Sequence, residues 1–292
     1  MPNPDKYSES SGNFEIGAAS AEDIVTLGAW AHEEGWNPGL TDGGVFFPTD
    51  PGGFLIGRLD GVPVTSVSVV RYGPDHGFLG FYLTRPHLRG QGYGLRTWQA
   101  GTARLAGRNV GLDGVPAQQD NYRRSGFRTC WSNARYEGTP PPDIAPPPGT
   151  ALVDARSVPF AQLATYDRRF FPAPRDGFLA AWITAPQRTA LAAVRDGELH
   201  GLAVVRKCRA ASRIGPLYAA SPQVAAALVS ALAATEPDVP VAIDVPDLNP
   251  AAVRLAGELG LTPSFDTARM YTGPQPVIDR SGYYGVTSLE LG

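Results

Sequence analysis

The sequence predicts an α/β protein of mixed sheets, arranged as two tandem domains of like architecture joined by a proline-rich linker. Three observations carry that reading. A glycine-rich loop, Arg89-Gly90-Gln91-Gly92-Tyr93-Gly94, joins an apolar run over 77–84 to residues that recur at helical spacing. Residues 138–149 hold six prolines in twelve positions. The residues beyond that stretch weakly repeat those before it: Gly126-Phe127 is echoed by Gly260-Leu261 and Ala134-Arg135 by Ala268-Arg269, each 134 residues on, and Asp60-Gly61 by Asp196-Gly197, 136 residues on. Matches at nearly one offset mark an internal repeat.

In the first half, Phe78, Leu79, Phe81, Tyr82 and Leu83 are too apolar for a surface loop and too few for a buried helix, so they read as a strand. Leu95, Trp98, Thr102 and Leu105 recur at three- and four-residue steps, the mark of a helix with one face on a core. The glycine loop therefore joins strand to helix, where several backbone N–H groups and the helix N-terminus can converge on an anion such as a pyrophosphate. Val110 to Leu112 make a further short strand, and the segment Asn121-Tyr122-Arg123-Arg124-Ser125-Gly126-Phe127 reads as a helix and its glycine stop.

The proline-rich 138–149 favours extended geometry and reads as a semi-rigid linker. Beyond it, Leu191–Val194 and Leu202–Val205 form a hairpin, Val224, Leu228, Ala231 and Leu232 one face of a helix, and Val241, Ile243 and Val245 an alternating strand. Asn249-Pro250 supplies an N-cap and a first helical proline, and Gly260 ends that helix. The chemistry does not repeat. Around 221–227 there is no Gly-x-Gly, and the 134-residue offset sets Ala256 opposite Tyr122. This half is expected to hold no phosphate loop of its own.

With 292 residues, 43% apolar and 18% charged, the chain is long enough for two cores. No apolar run reaches the length of a membrane span, and Met1-Pro2-Asn3-Pro4-Asp5-Lys6 has no leader pattern. Cys130 and Cys208 make no disulfide framework, so a reducing cytoplasm is expected. A net charge of −3 gives no reason to expect nucleic-acid binding. The distribution is more telling. Residues 85–135 carry nine arginines against Asp113 and Asp120, whereas residues 1–84 carry three bases and eleven acids. A basic half suits a polyanionic ligand and an acidic half a cationic one. His32 and His87 lack metal-ligand spacing with another His or Cys, and no metal is expected.

The Arg89-x-x-Gly92-x-Gly94 spacing between strand and helix, followed by Tyr122-x-x-x-Gly126-Phe127, resembles the acyl-CoA loop and the tyrosine helix of the GNAT superfamily of acetyltransferases, across most of 14–137. The whole chain resembles bacterial tandem GNAT proteins with an active first domain and a degenerate second. That implies a catalytic acyl-CoA-binding domain at 1–137, a linker at 138–149 and a degenerate GNAT-like domain at 150–292. It implies acetyl-CoA as co-substrate, held by Leu83, Thr84, Arg89, Gly90, Gln91, Gly92, Tyr93, Gly94, Asn121 and Arg124, with an N–H of the Leu83–Thr84 region polarising the thioester carbonyl. The resemblance makes Tyr122 the acid that protonates the departing thiolate.

The base is open. Many family members carry a glutamate on the strand before the loop, but Gly80-Phe81-Tyr82-Leu83 has no carboxylate; Glu34 and Asp113 are the candidates. Trp36 is either an acceptor wall or a core plug. The expected reaction is direct acyl transfer to a small amine, by a monomer or homodimer. The alternative is a non-catalytic acyl-CoA sensor or partner-binding module. The segments Gly111-Leu112-Asp113-Gly114-Val115 and Tyr284-Gly285-Val286-Thr287-Ser288-Leu289-Glu290 also resemble the tandem group, without an assigned role.

Overall fold

The computed structural model describes residues 12–292; the leader reading at Met1–Lys6 lies outside them. The first half runs β1 (Phe14–Ala18), α1 (Ala21–Glu33), α2 (Asp42–Thr49), β2 (Phe54–Leu59), β3 (Val62–Tyr72), β4 (His76–Thr84), α3 (Tyr93–Arg104), β5 (Asn109–Gly114), α4 (Gln119–Arg124) and β6 (Arg128–Gly138). The second runs β7 (Ala151–Asp154), α5 (Phe160–Asp167), α6 (Asp176–Thr184), β8 (Arg188–Arg195), β9 (Glu198–Arg206), β10 (Ser212–Ala219), α7 (Pro222–Ala233), β11 (Val241–Pro246), α8 (Pro250–Glu258), β12 (Thr262–Tyr271) and β13 (Tyr283–Gly285).

Among the described residues all thirteen strands belong to one sheet, in the order β1-β2-β3-β4-β5-β12-β6-β11-β10-β9-β8-β7, with β13 on β10. The halves meet by exchange. β6, the last strand of the first half, pairs antiparallel with β11, and its counterpart β12 pairs antiparallel with β5. The two exchanged strands then pair with each other from Arg128↔Tyr271 to Glu137↔Thr262.

Each half holds one parallel pair, β4–β5 and β10–β11, and each pair is short. β4 and β5 bond only from His76↔Asn109 to Leu79↔Leu112 and then part, leaving an open fork. The parting begins at a β-bulge, where Phe81 and Tyr82 lie opposite the single residue Val67, and Phe81 sits at φ 43°. β10 and β11 bond over Ser212–Ile214 and also part, but here β13 enters the gap, pairing Leu217 with Gly285 and Tyr218 with Tyr283.

α3 buries Gly94, Thr97, Trp98 and Gly101, and lies close to the sheet at its glycines. A Cβ on Gly101 would stand 2.8 Å from a Val67 methyl. Of the expected stripe Trp98 and Leu105 are buried and Thr102 is half-buried, whereas Leu95 is exposed at 57%, beside the fork. α1 begins with a capping box in which Ser20 and Asp23 satisfy each other's backbone N–H, and it delivers Glu33 and Glu34 to the fork. α8 starts at the Asn249 cap, with the side chain accepting from the Ala251 N–H, and closes before Gly260 at φ 74°. Residues 139–150 form neither helix nor strand and are tied to α7, Ser230 Oγ donating to the Pro141 carbonyl and accepting from the Ile144 N–H.

Candidate active site

The open fork leads into a cavity of about 440 Å³, lined on one side by the glycine loop and Tyr122 and on the other by residues of the second half. At the loop, Gly90 and Gly92 have φ of 79° and 87°, a region that disfavours side chains, and neither would meet an atom within 4 Å of an added Cβ. Gly92 caps α3, so the N–H groups of Tyr93, Gly94 and Leu95 have no partner within the helix. A Cβ at Gly94 would stand 2.6 Å from Thr84 Oγ1. This loop brings backbone donors to open space beside the fork.

The Arg85 N–H donates to the Val64 carbonyl, so Thr84 occupies a non-hydrogen-bonded pair with Thr65, and its N–H points from β3 toward the fork. Leu83 then faces β3, and by alternation the Tyr82 N–H shares the Thr84 direction. Of the expected pair, Thr84 presents its donor to the fork; Tyr82, missed in the sequence because the bulge was not visible there, is the second.

Tyr122 is 7% exposed, its ring 5.2 Å from that of Trp98 and 6.4 Å from that of Phe127. Burial, with a smaller contribution from Tyr82, pushes its hydroxyl well above the ordinary tyrosine range, so it stays protonated at neutral pH. A Cβ on Gly114 would press on the Tyr122 ring at 2.9 Å, which is why β5 ends on glycine there.

The charged candidates are engaged with one another. Arg89 is ion-paired with Glu34 and donates through Nε to the Thr84 carbonyl at 3.1 Å, so the expected phosphate arm and an expected base hold each other at the cavity mouth. Arg124 is exposed and bonded to the Asn121 side chain, which in turn bonds Gln118. Gln91 donates to the His87 carbonyl at 3.1 Å. The Asp113 side chain is fully buried. Both its oxygens are taken by Arg269 of β12, at 2.8 and 2.7 Å, and Oδ1 also accepts from Asn133 Nδ2. Burial pushes its carboxyl up against the opposing pull of Arg269. This arrangement locks the exchanged strand to β5 and leaves Asp113 no oxygen free of a charged partner.

The remaining walls come from parts of the sequence that carried no signal of a site. Arg135, Phe265, Thr267, Leu289 and Glu290 line the cavity. Arg135 donates to the Trp36 carbonyl at 3.0 Å, which fixes the turn after α1, and its charge is met by Asp244 at 2.8 Å. Asp244 also pairs with Arg213, and Arg213 Nη1 reaches Glu290 Oε1 at 3.0 Å. Burial alone would raise the Glu290 carboxyl, but Arg213, Arg206 and the Ser288 hydroxyl hold it below the usual range. The echo Ala134-Arg135/Ala268-Arg269 was the one available hint, since both arginines turn out to anchor the exchange.

The chain is similar to known proteins. A family described as "Acetyltransferase (GNAT) family" matches residues 21–127, and one described as "Acetyltransferase (GNAT) domain" matches 163–285. A protein named holothin acyltransferase, from Pseudoalteromonas sp. (strain SANK 73390), is 33% identical over 275 residues, spanning 94% of this chain and 93% of its own. The chain belongs to the GNAT acetyltransferase family. It is a tandem GNAT acyltransferase, and both halves carry the fold. Among solved structures, a putative acetyltransferase from Pyrococcus horikoshii covers 100% of the chain and 99% of its own at TM-score 0.80 and 19% identity. A tandem GNAT protein from the clavulanic acid biosynthesis pathway covers 90% and 100% at TM-score 0.65 and 18% identity. At those identities they speak for the GNAT fold alone. GNAT enzymes use acetyl-CoA or another acyl-CoA as co-substrate.

Proposed function

We propose that this GNAT enzyme transfers an acyl group, acetyl first among them, from acyl-CoA directly to a primary amine of a small molecule at the fork of the first half. The observation that carries the reading is that one cavity joins the unpartnered loop donors, the fork-facing N–H groups of β4 and the protonated Tyr122. Open space at Gly90 and Gly92 fits a phosphate group approaching the backbone. The co-substrate would supply the activated acyl thioester.

The chain's own residues then divide the work. The loop N–H groups of 90–94 and the first turn of α3 hold the pyrophosphate, and the Tyr82 and Thr84 N–H groups stabilise negative charge on the carbonyl oxygen. Tyr122 donates a proton to the departing sulfur. The amine must lose a proton to attack. Glu34 is the carboxylate at the mouth, its Oε2 without a hydrogen-bond partner among the described residues, and it receives that proton through solvent. Cys130 takes no part: burial pushes its thiol up, away from the nucleophilic thiolate form.

The test is CoA release with a panel of primary amines and, beside them, with holothin, the compound in the relative's name. Tyr122→Phe should lower kcat by about 10²- to 10⁴-fold while acyl-CoA affinity holds. An unchanged kcat would remove Tyr122 from the acid's role. Release of CoA without an acylated amine would remove the acceptor class.

A further inference from the structure

The segment that closes β13's entry into the second fork goes on to the first. Val286 donates to the Asp244 carbonyl, and the chain then crosses two glycines that stand 135 residues apart, one in each fork. A Cβ on Gly215 would meet the Val286 carbonyl oxygen at 2.3 Å, and one on Gly80 the Glu290 carbonyl oxygen at 2.0 Å. The same run of backbone thus seals the second fork and lies against the first, one residue before the bulge at Phe81.

It is held firmly there. Arg206 donates to the Thr287 carbonyl, Arg175 to the Thr287 hydroxyl at 2.9 Å, Arg213 to Glu290, and the Tyr72 hydroxyl to the Leu291 carbonyl at 3.0 Å. Between 282 and 292 every residue is buried but Leu289, and Leu289 lines the cavity.

The face it occupies is informative. α3 packs through Trp98 with Val67, Val69 and Leu79 on one side of the sheet, whereas Gly80, the next residue along β4, turns to the closing segment on the other. A thioester drawn through the fork from the α3 side meets the fork-facing N–H groups at β4, and the atoms beyond its carbonyl emerge beside Gly80. We infer that Leu289 is the gauge of acyl-chain length, a specificity residue contributed by the second half to the first half's site. This rests on the reading of acyl-CoA at the fork given above. A leucine side chain on a rigid backbone leaves room for a short acyl group and obstructs a long one.

Calorimetric titration of the full chain with acetyl-, butyryl- and hexanoyl-CoA tests it in wild type, Leu289→Ala and Leu289→Trp, with transfer assays on an amine found in the panel. Because Leu289 is only partly buried, both variants should fold, and a melting curve for each checks this. Leu289→Ala should raise the hexanoyl-to-acetyl affinity ratio by about tenfold or more, the usual worth of methylenes in an apolar pocket. Leu289→Trp should lower butyryl binding more than acetyl. Unchanged ratios in both variants overturn the gauge, as does a change confined to the amine's KM. A shifted ratio without transfer to any amine would sustain the gauge and sink the direct-transfer reading. No binding of any thioester would sink both.

Discussion

The two halves begin from the same device, a parallel strand pair that parts after a few residues, and put it to opposite uses. In the first half the gap between β4 and β5 opens on a cavity of about 440 Å³. In the second, Gly285 sits in the gap, where a Cβ would stand 3.0 Å from both Ile243 of β11 and Leu217 of β10. The second gap is not left as a void. Voids in a core destabilise in proportion to their volume, and here the chain fills one with its own strand. The segment after the filling strand then furnishes a wall for the sister site.

The sharpest way to break this contrast is to damage the open fork alone. Replacing Gly92 and Gly94 with valine forces a β-branched residue to φ 87° and drives a side chain into Thr84. Calorimetric binding of acetyl-CoA should fall from one equivalent per chain to none. One remaining equivalent would mean that the second fork binds after all.

Next in size is the junction between halves. Asp244→Asn leaves Arg135 buried with a neutral partner and Arg213 with Glu290 as its one carboxylate, and urea unfolding should register a loss of about 3–5 kcal/mol. A loss under about 1 kcal/mol would show that the halves are held by strand pairing alone.

The smallest effect belongs to the closed ends of the forks. His76 starts the β4–β5 pair, buried, and burial with the nearby charge of Arg269 lowers its pKa to about 4. A depressed value means that the neutral form is the one folded. Its contribution to stability is complete above the unfolded value of about 6.5 and is lost as pH falls from there through 4, by at most about 3 kcal/mol. His76→Phe should flatten the melting temperature between pH 6.5 and 4. An equally steep slope in the variant would assign the effect to other groups.

Much of this architecture is legible in the chain. Alternating and helical periods mark β4, α3, β8, β9, α7, β11 and α8, because burial on one face dictates them locally. The Gly90–Gly94 loop is legible for the same reason: positive φ needs glycine. The long-range features escape. Nothing in the composition of 128–138 says that it will pair with β11 and β12, since an exposed-to-buried alternation suits any neighbour. Leu95 reads as core because the helical period is right, but the small residues beside it decide which stripe approaches the sheet. Asp113 reads as a free acid because its partner Arg269 is remote in sequence. Leu289 and Glu290 carry no periodic signal, and their place is set by two distant glycines.

The strand exchange also bears on the order in which the molecule can assemble. The Arg269–Asp113 pair that ties β12 to β5 spans 156 residues of chain. Contacts so far apart in sequence close loops late and slow the search. During synthesis β5 therefore waits, with one edge bare, until almost the whole second half has emerged. Unpaired edges are the usual route to association between chains. A chain interrupted before β12 presents that edge to any neighbour, and two such chains could trade β6 strands with each other instead of within one molecule.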